Sequence, residues 1–544
     1  MRAHPPSSSH TTRLRLTATA GLAGLLLTAC GGSPTEKAAD DGRDGTPKDG
    51  GRLTVALASD FGCLDPQQAG SVDAVPPVRQ LVDSLTDQDP ATGRPAPWLA
   101  EKWEVSPDGT SFTFHLRPGA TFSDGTPVDA AAVKANFDTA GKLGPSATQA
   151  ATYLKNYRDT TVVDPLTAVV AFNQPAAGFL QATSTHTLGL VSIATTQRPA
   201  ADRCASGVAG SGPFTLAEYR KNESIVLAKR TGYAWGSALW KNGGAAHLDR
   251  IAFRIVPETG VRTGSLRSGE TDALTAVPLQ DQDGLKKAGF TLQAKNAPGV
   301  PYGFSINNAR APMDDPAVRK AVSLAVNRKE VVDTVFGPLA KPATSPLAST
   351  TTGYTDLSNE LAHAPDTAKQ LLDGAGWTPG PDGIRTKDGK PLALTVQYFS
   401  GQASAKAALE LLQQQLKAVG IGATLKEDPV GQGAAVIQAK QYDLLWGHNA
   451  GGDPDVLRPQ YTSGGLNFNN LKPGKLDELL TRQSATTDPA QRAAVVAEIQ
   501  RLIVAEQYSA PVAEFTVVLG LSPKVHDVTL NADGRLQLHD TWKS

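Results

Sequence analysis

Leu53, Val55 and Leu57 alternate with polar or small residues from Arg52 onward, the period of a half-buried strand. The FGCLDPQ segment that follows reads as a loop at that strand's end. Two further alternating runs, Lys102 to Val105 and Ser111 to Leu116, flank Pro107-Asp108-Gly109, whose residues suit a tight reversal and predict a β-hairpin. A second turn at Ser123-Asp124-Gly125 leads to a helix from about Ala130 to Phe137 with Asp129 as its cap. The period then changes to 3.6 in several places. Asp315 and Pro316 open a helix with Val318, Ala321, Val322 and Ala325 on one face. Asp366 to Trp377 reads as a short capped helix closed by glycine. Leu392–Tyr398, Ser404–Val419 and Ile421–Glu427 form a strand, helix, strand unit, which predicts a right-handed crossover between parallel strands. Its helix buries Ala405, Ala408, Leu409, Leu412, Leu416 and Val419, and Gly420 ends it. Tyr442 to Trp446 is a short apolar run expected in the same sheet; it breaks at Gly447 into a polar, glycine-rich loop with His448, Asn449, Asp453 and Asp455. Asp488-Pro489 opens a last helix with Val495, Val496, Ile499, Leu502 and Ile503 inward, and a strand-rich tail starts near Ala510.

Composition narrows what this alternation serves. A chain of 544 residues exceeds a single core, so two or three domains are expected. Lys and Arg total 52 against 53 Asp and Glu, and a net charge of -1 removes the electrostatic reason to expect nucleic acid or an acidic membrane surface as partner. The first 29 residues lie outside the fold. Arg2, Arg13 and Arg15 are basic, Leu16 to Leu27 is apolar, and Leu27-Thr28-Ala29-Cys30 follows, which resembles a bacterial lipoprotein signal with Cys30 as the lipidated new N-terminus. The alternative is an ordinary secretory signal with an incidental cysteine. No later run reaches the roughly 18 apolar residues of a spanning helix, so a soluble, tethered mature protein is expected. Residues 30–51 are rich in Gly, Asp and Lys and read as a flexible tether. Cys63 and Cys204 remain, in an oxidising compartment, either bridged or as two separate buried thiols.

The passage Trp98 to Pro127, WLAEKWEVSPDGTSFTFHLRPGATFSDGTP, resembles the signature of the extracellular solute-binding proteins of family 5, the peptide-binding and related lipoproteins that serve ATP-driven importers. Gly210-Ser211-Gly212-Pro213-Phe214 and the segment Asn307 to Leu339 resemble further landmarks of that family. The resemblance runs from about Arg52 to the C-terminus. It implies an α/β fold of two lobes in the periplasmic-binding-protein manner (type II, cluster C), with hinge strands and an extra inserted subdomain. Mapped here, lobe one takes 52–87, 207–298 and 509–544, the insert 88–206, and lobe two 299–508, with hinges near Val300 to Tyr302 and near Tyr508. It also implies a monomer that works with a permease and ATPase subunits at the outer face of the cell membrane.

An extracellular hydrolase is the rival class, and its usual motifs are missing. The sequence has no G-x-S-x-G, S-x-x-K, H-E-x-x-H or C-x-x-C, and its nine histidines are scattered singly. No catalytic residue, cofactor or metal site is therefore expected. Gly207 to Gly212 loosely resembles a phosphate loop but lacks the lysine and reads better as a turn. Asp453-Pro454-Asp455 is either a carboxylate pair or a loop in which Asp453 braces the backbone and Asp455 is solvated.

For ligand binding the candidates are Phe61 from lobe one, Tyr302 and Asn307 from the hinge side, and Trp446, Asn449, Asp453, Ser463 and Asn467 around the loop after Trp446. Trp446 reads as a flat apolar wall or as a core residue. Peptide binders of the resembling family carry an aspartate three residues after this tryptophan, paired with the peptide's amino group. Here Asn449 stands there, with one extra residue before Asp453-Pro454. An amide does not neutralise an ammonium, so a peptide N-terminus loses a charge-assisted contact of about 1.5 to 3 kcal/mol unless Asp453 replaces it. The expected solute is a peptide, with an oligosaccharide, an opine-like compound or a metal chelate as alternatives. Presentation of ligand to a membrane receptor is the alternative to import.

Overall fold

The structure, a computed structural model, describes residues 45–70, 73–380, 382–400, 404–429 and 432–544; Cys30 and most of the expected tether lie outside them. Arg52–Leu57 is an inner strand of a seven-stranded sheet and pairs in parallel with Arg250–Ile255 on one side and Ala273–Leu274 on the other. Leu53, Val55 and Leu57 are fully buried there. The sheet continues through the antiparallel strands Ser224–Lys229 and Phe214–Arg220 on one side, and Thr516–Leu521 and Thr291–Asn296 on the other.

The second sheet has five strands in the order Gly422–Asp428, Ala393–Phe399, Leu444–Ala450, Gly299–Ile306 and Ser509–Ala513. The first two are parallel and joined by the helix Ala405–Ala418, whose predicted inner residues are buried. The helix Pro316–Ala325 packs Val318, Ala321, Val322 and Ala325 into the same core, and the Asp315 carboxylate accepts from the Ala317 N–H at 2.9 Å. Full burial of each valine is worth about 1.5 to 3 kcal/mol. The last helix runs Pro489–Ala505 with Asp488 accepting from the Gln491 N–H.

A third, four-stranded antiparallel sheet lies between the parts of the first in sequence. It holds the predicted hairpin, Ala100–Val105 with Ser111–Leu116, and the strands Thr167–Phe172 and Tyr157–Asp164. Gly109 turns the hairpin at φ +65°, and the Asp108 side chain accepts from Thr110 N–H. The helix Ala130–Ala140 is capped by Asp129 as expected, and packs on this sheet around Phe112, Phe114, Phe137 and Phe179. At Gly210 and Gly212 the phosphate-loop resemblance has a steric origin. A Cβ at Gly210 would sit 1.9 Å from the Leu81 carbonyl oxygen and one at Gly212 2.5 Å from the Leu81 carbonyl carbon, so both glycines admit a neighbouring backbone.

Four expectations need correction. The strand after Tyr442 does not break at Gly447: Leu444–Ala450 carries His448 and Asn449 as strand residues, with Val300 opposite Asn449 and Gly303 opposite Gly447. Gly299 makes this possible, because a Cβ there would meet the Asn449 carbonyl oxygen at 2.2 Å. Ser509–Ala513, placed with lobe one, pairs instead with Gly299–Ile306 in the second sheet. The expected hinges at Val300 to Tyr302 and Tyr508 shift accordingly. The chain crosses between the two large sheets at Ala297-Pro298 and at Glu514-Phe515, side by side: the Ala297 N–H donates to the Phe515 carbonyl at 2.8 Å, and the Asn296 amide to Glu514 at 2.7 Å. The helix Pro365–Gly374 has no side-chain cap; Pro365 at its first position starts it instead.

Candidate functional site

The strand Leu444–Ala450 projects along one wall of a cavity of about 1060 Å³. The opposite wall comes from the loop after the first strand, including Phe61 and Asp73, and from Phe515 and Arg535 near the C-terminus. The inserted segment closes a third side with Thr148 to Asn156 and Gln174 to Ala182. It also touches the wall opposite: the Ala177 N–H donates to the Ser484 carbonyl at 3.0 Å, and a Cβ on Gly178 would meet the Asp453 carboxylate at 2.9 Å.

Four of the sequence candidates, Phe61, Trp446, Asn449 and Asp453, line this one cavity. Phe61 is exposed, at 56 % of its surface. Trp446 is both wall and core: it is 1 % exposed, with its indole parallel to Tyr302 at 5.7 Å and edge-on to Phe304 at 5.5 Å. The indole N–H has no partner. Asn449 is half-buried on the cavity wall, and its side-chain amide makes no hydrogen bond among the described residues.

Asp453 lines the cavity with its carboxylate already occupied. Arg492 donates to both of its oxygens at 2.5 and 2.7 Å, and the Asp455 N–H donates to one of them at 2.8 Å. The attraction of Asp453 outweighs the burial that would lower the Arg492 pKa, which is raised. Asp455 is not solvated as the loop reading expected. It accepts from Arg458 at 2.9 Å and from the Gln483 amide, and burial raises its pKa against the pull of Arg458. The loop after Trp446 is thus braced by two ion pairs.

The other four candidates sit behind the wall or away from it. Tyr302 packs under Trp446 and His448, and burial pushes its hydroxyl up to about 12. Asn307 is fully buried and donates to the Lys440 and Tyr442 carbonyls at 3.1 and 2.9 Å, which fixes the start of the Leu444–Ala450 strand. Ser463 bonds to Asp477 at 3.1 Å. Asn467 donates to the Ser463 and Leu471 carbonyls and accepts from the Leu471 N–H at 2.8 Å, holding a turn together. The placement of Asn307, Ser463 and Asn467 is a correction. Each has its polar atoms in backbone or acidic partners, which is why polar residues next to a strand end need not face a ligand. The structure also joins Cys63 and Cys204 in a disulfide across 141 residues, which ties the Phe61 loop to the helix Ala200–Ser206.

Two further cavity residues were not among the ligand candidates: His448, noted only as part of the polar loop, and Tyr153. His448 packs at a tilt against Tyr302 and Phe515, at 4.2 and 4.6 Å between rings, and its Nδ1 has no partner among the described residues. Burial first, then the field of Arg535, lowers its pKa to about 4, so it is neutral at pH 7. Tyr153 accepts from the Gln149 amide at 2.8 Å, which leaves its own proton to donate. Among the described residues no group of three or more His, Cys, Asp or Glu is placed to hold a metal ion, and no helix is long and apolar enough to cross a membrane.

A profile described as bacterial extracellular solute-binding proteins, family 5 Middle, matches residues 94–469. The chain is similar to the glutathione-binding protein GsiB of Salmonella paratyphi A, with 28 % identity over 467 residues, 83 % of this chain and 86 % of that protein. GsiB of Escherichia coli O157:H7 is 27 % identical over 465 residues, with the same shares. Among solved structures, NikA from Brucella suis in complex with Fe(III)-EDTA superposes with a TM-score of 0.80 at 24 % identity, over 91 % of this chain and all of that one. The oligopeptide-binding protein AppA from Bacillus subtilis, in complex with a nonapeptide, superposes with a TM-score of 0.75 at 18 % identity, over 92 % of this chain and all of that one. Both are likenesses of the two-lobed fold.

Proposed function

This chain belongs to the bacterial extracellular solute-binding proteins of family 5, and we propose that it is the lipid-anchored extracytoplasmic component of an ATP-driven importer. It encloses a small solute, a peptide in the first instance, between its lobes and delivers it to a membrane permease. The observation that carries this reading is the cavity of about 1060 Å³ between the two large sheets, walled by the insert. Ligand pockets of drug-sized molecules span roughly 300 to 1000 Å³, so this one has room for a short peptide. Enclosure removes water, and each hydrogen bond made inside then discriminates more strongly than it would at a surface. The paired crossings at Ala297-Pro298 and Glu514-Phe515 are the natural place for the lobes to move.

Binding proteins of this family serve transport, and the relatives bear on the ligand. GsiB is named for glutathione, a peptide, and the AppA structure holds a nonapeptide. The NikA structure holds a metal chelate, which favours a non-peptide solute as the second reading. Mass spectrometry of the solute that co-purifies with the protein tests the choice: a short peptide is expected, and a sugar or a metal chelate overturns the peptide reading. For the anchor, Cys30→Ala should release the protein from the membrane fraction, and retention there would count against lipidation at Cys30.

A further inference from the structure

Arg535 differs from every other buried or half-buried arginine among the described residues. The others all donate to a protein acceptor: Arg79 to Ser84, Arg203 to Asp65 and Gln67, Arg230 to the Ser211 and Phe122 carbonyls, Arg328 to four backbone carbonyls, and Arg385, Arg458 and Arg492 to aspartates. Arg117, Arg198, Arg254, Arg262, Arg310 and Arg319 likewise each donate to at least one protein acceptor. The Arg535 guanidinium is half-buried on the cavity wall and has neither a hydrogen bond nor an ion pair among the described residues. A guanidinium has five N–H donors, and taking it out of water without acceptors is costly. Its backbone, by contrast, is held firmly, with the Arg535 N–H donating to Asn531 Oδ1 at 2.8 Å in a turn closed by Gly534 at φ +71°.

We propose that Arg535 is the centre of a carboxylate-binding subsite in the cavity, so that the solute carries a carboxylate directed at the C-terminal turn of the chain. Three neutral groups line the same cavity. Tyr153 offers a free hydroxyl proton, His448 an unpartnered ring nitrogen and Asn449 an unpartnered amide, none of them acidic. The two acids on the facing loop are neutralised by Arg492 and Arg458. Asp533, buried in the same turn, is the nearest opposing charge and acts on Arg535 through space, with no hydrogen bond or ion pair between the two side chains. The third acid lining the cavity, Asp73, accepts from the Ser59 hydroxyl at 2.8 Å and is on the loop after the first strand. Lys155 is an exposed cation at the cavity and adds to the positive field. A planar carboxylate matches the two parallel donors of a guanidinium, and the enclosed site strengthens that pair relative to water.

This inference deepens the proposed function, and the experiment keeps the two apart. Protein stripped of co-purified solute is incubated with an equimolar mixture of di- to pentapeptides, as free C-terminal acids and as the matching C-terminal amides, and the retained species are read by native mass spectrometry. The wild type should retain the acids about 10- to 100-fold better than the amides. Arg535→Gln should abolish that preference, and Arg535→Lys should keep part of it, which a purely structural role would not predict. Equal retention of acids and amides by the wild type, or a preference that survives Arg535→Gln, overturns the subsite while leaving the peptide reading intact. If no peptide is retained in either form, the peptide reading fails. The co-purifying solute then decides: an acid lost from Arg535→Gln supports the subsite, and a neutral, cationic or phosphate-only solute overturns it.

Discussion

Two stretches of the cavity wall carry charge and use it differently. On the loop after Trp446, Asp453 and Asp455 face Arg492 and Arg458 at hydrogen-bond distance, with Gln483 bonded to Asp455 and Arg492. On the C-terminal turn, Arg535 faces the same cavity and touches no acceptor. The first is a scaffold in which opposite charges hold a loop in place; the second is an unsatisfied donor held by its backbone. The acid-rich loop is conspicuous in sequence, yet its charges are spent on bracing it, while Arg535 has no bonded partner and only the field of Asp533 set against it.

Removing one partner from each stretch separates the two roles. Asp453→Ala strands the Arg492 guanidinium and should destabilise the fold by about 3 to 5 kcal/mol, read as a fall in thermal unfolding temperature. Arg535→Gln should leave that temperature nearly unchanged, and a comparable fall would break the comparison. The next effect is on pH. His448 has its pKa lowered to about 4 by burial and by Arg535, below the ordinary 6.5. Between those values the unfolded chain binds a proton that the folded chain does not, so stability is lost as pH falls from 6.5 towards 4, by up to about 3 kcal/mol. His448→Gln should flatten that part of the stability profile, leaving the share due to buried His186, lowered to about 3. Arg535→Gln should raise the His448 pKa, measured by NMR titration of the ring; an unmoved value would place the guanidinium's field elsewhere.

Asn449→Asp sharpens the contrast from the other side. It should strengthen binding of peptides with free N-termini by about 1.5 to 3 kcal/mol if the amine sits there, with N-acetylated peptides as the control in calorimetry. No gain would remove the amine from that position, and Asp73, bonded to the Ser59 hydroxyl but to no described cation, would be the remaining acid of the cavity for it. The smallest effect is at Tyr302, whose stacking on Trp446 is worth about 0.5 to 1.5 kcal/mol beyond its area. Tyr302→Leu should cost stability of that order and should weaken ligand binding only through Trp446.

Much of the fold was legible because its elements are local. The strand at Leu53, the hairpin around Asp108-Gly109, the helices capped by Asp129, Asp315 and Asp488, and the parallel pair bridged by Ala405–Ala418 each follow from periodicity and a cap or turn residue. The site was legible only in part. Trp446, Asn449 and Phe61 reach the cavity, while Asn307, Ser463 and Asn467 satisfy themselves nearby. A polar side chain looks the same in sequence whether it serves the backbone or a ligand.

Strands, helices and turns could be read from the residues alone, because period, capping and turn chemistry act over a few residues, and the motif from Trp98 to Pro127 carried the family. Tertiary structure alone decided how far the strand after Tyr442 extends, which sheet Ser509–Ala513 joins and which charges are free. Those outcomes depend on partners far away in the chain: Val300 opposite Asn449, Gly303 opposite Pro511, Arg492 against Asp453. Arg535 belongs with them. Nothing in the strand-rich tail marked it, and the packing of its turn against Ala297 and Val517 puts its charge on the cavity wall opposite Leu444–Ala450.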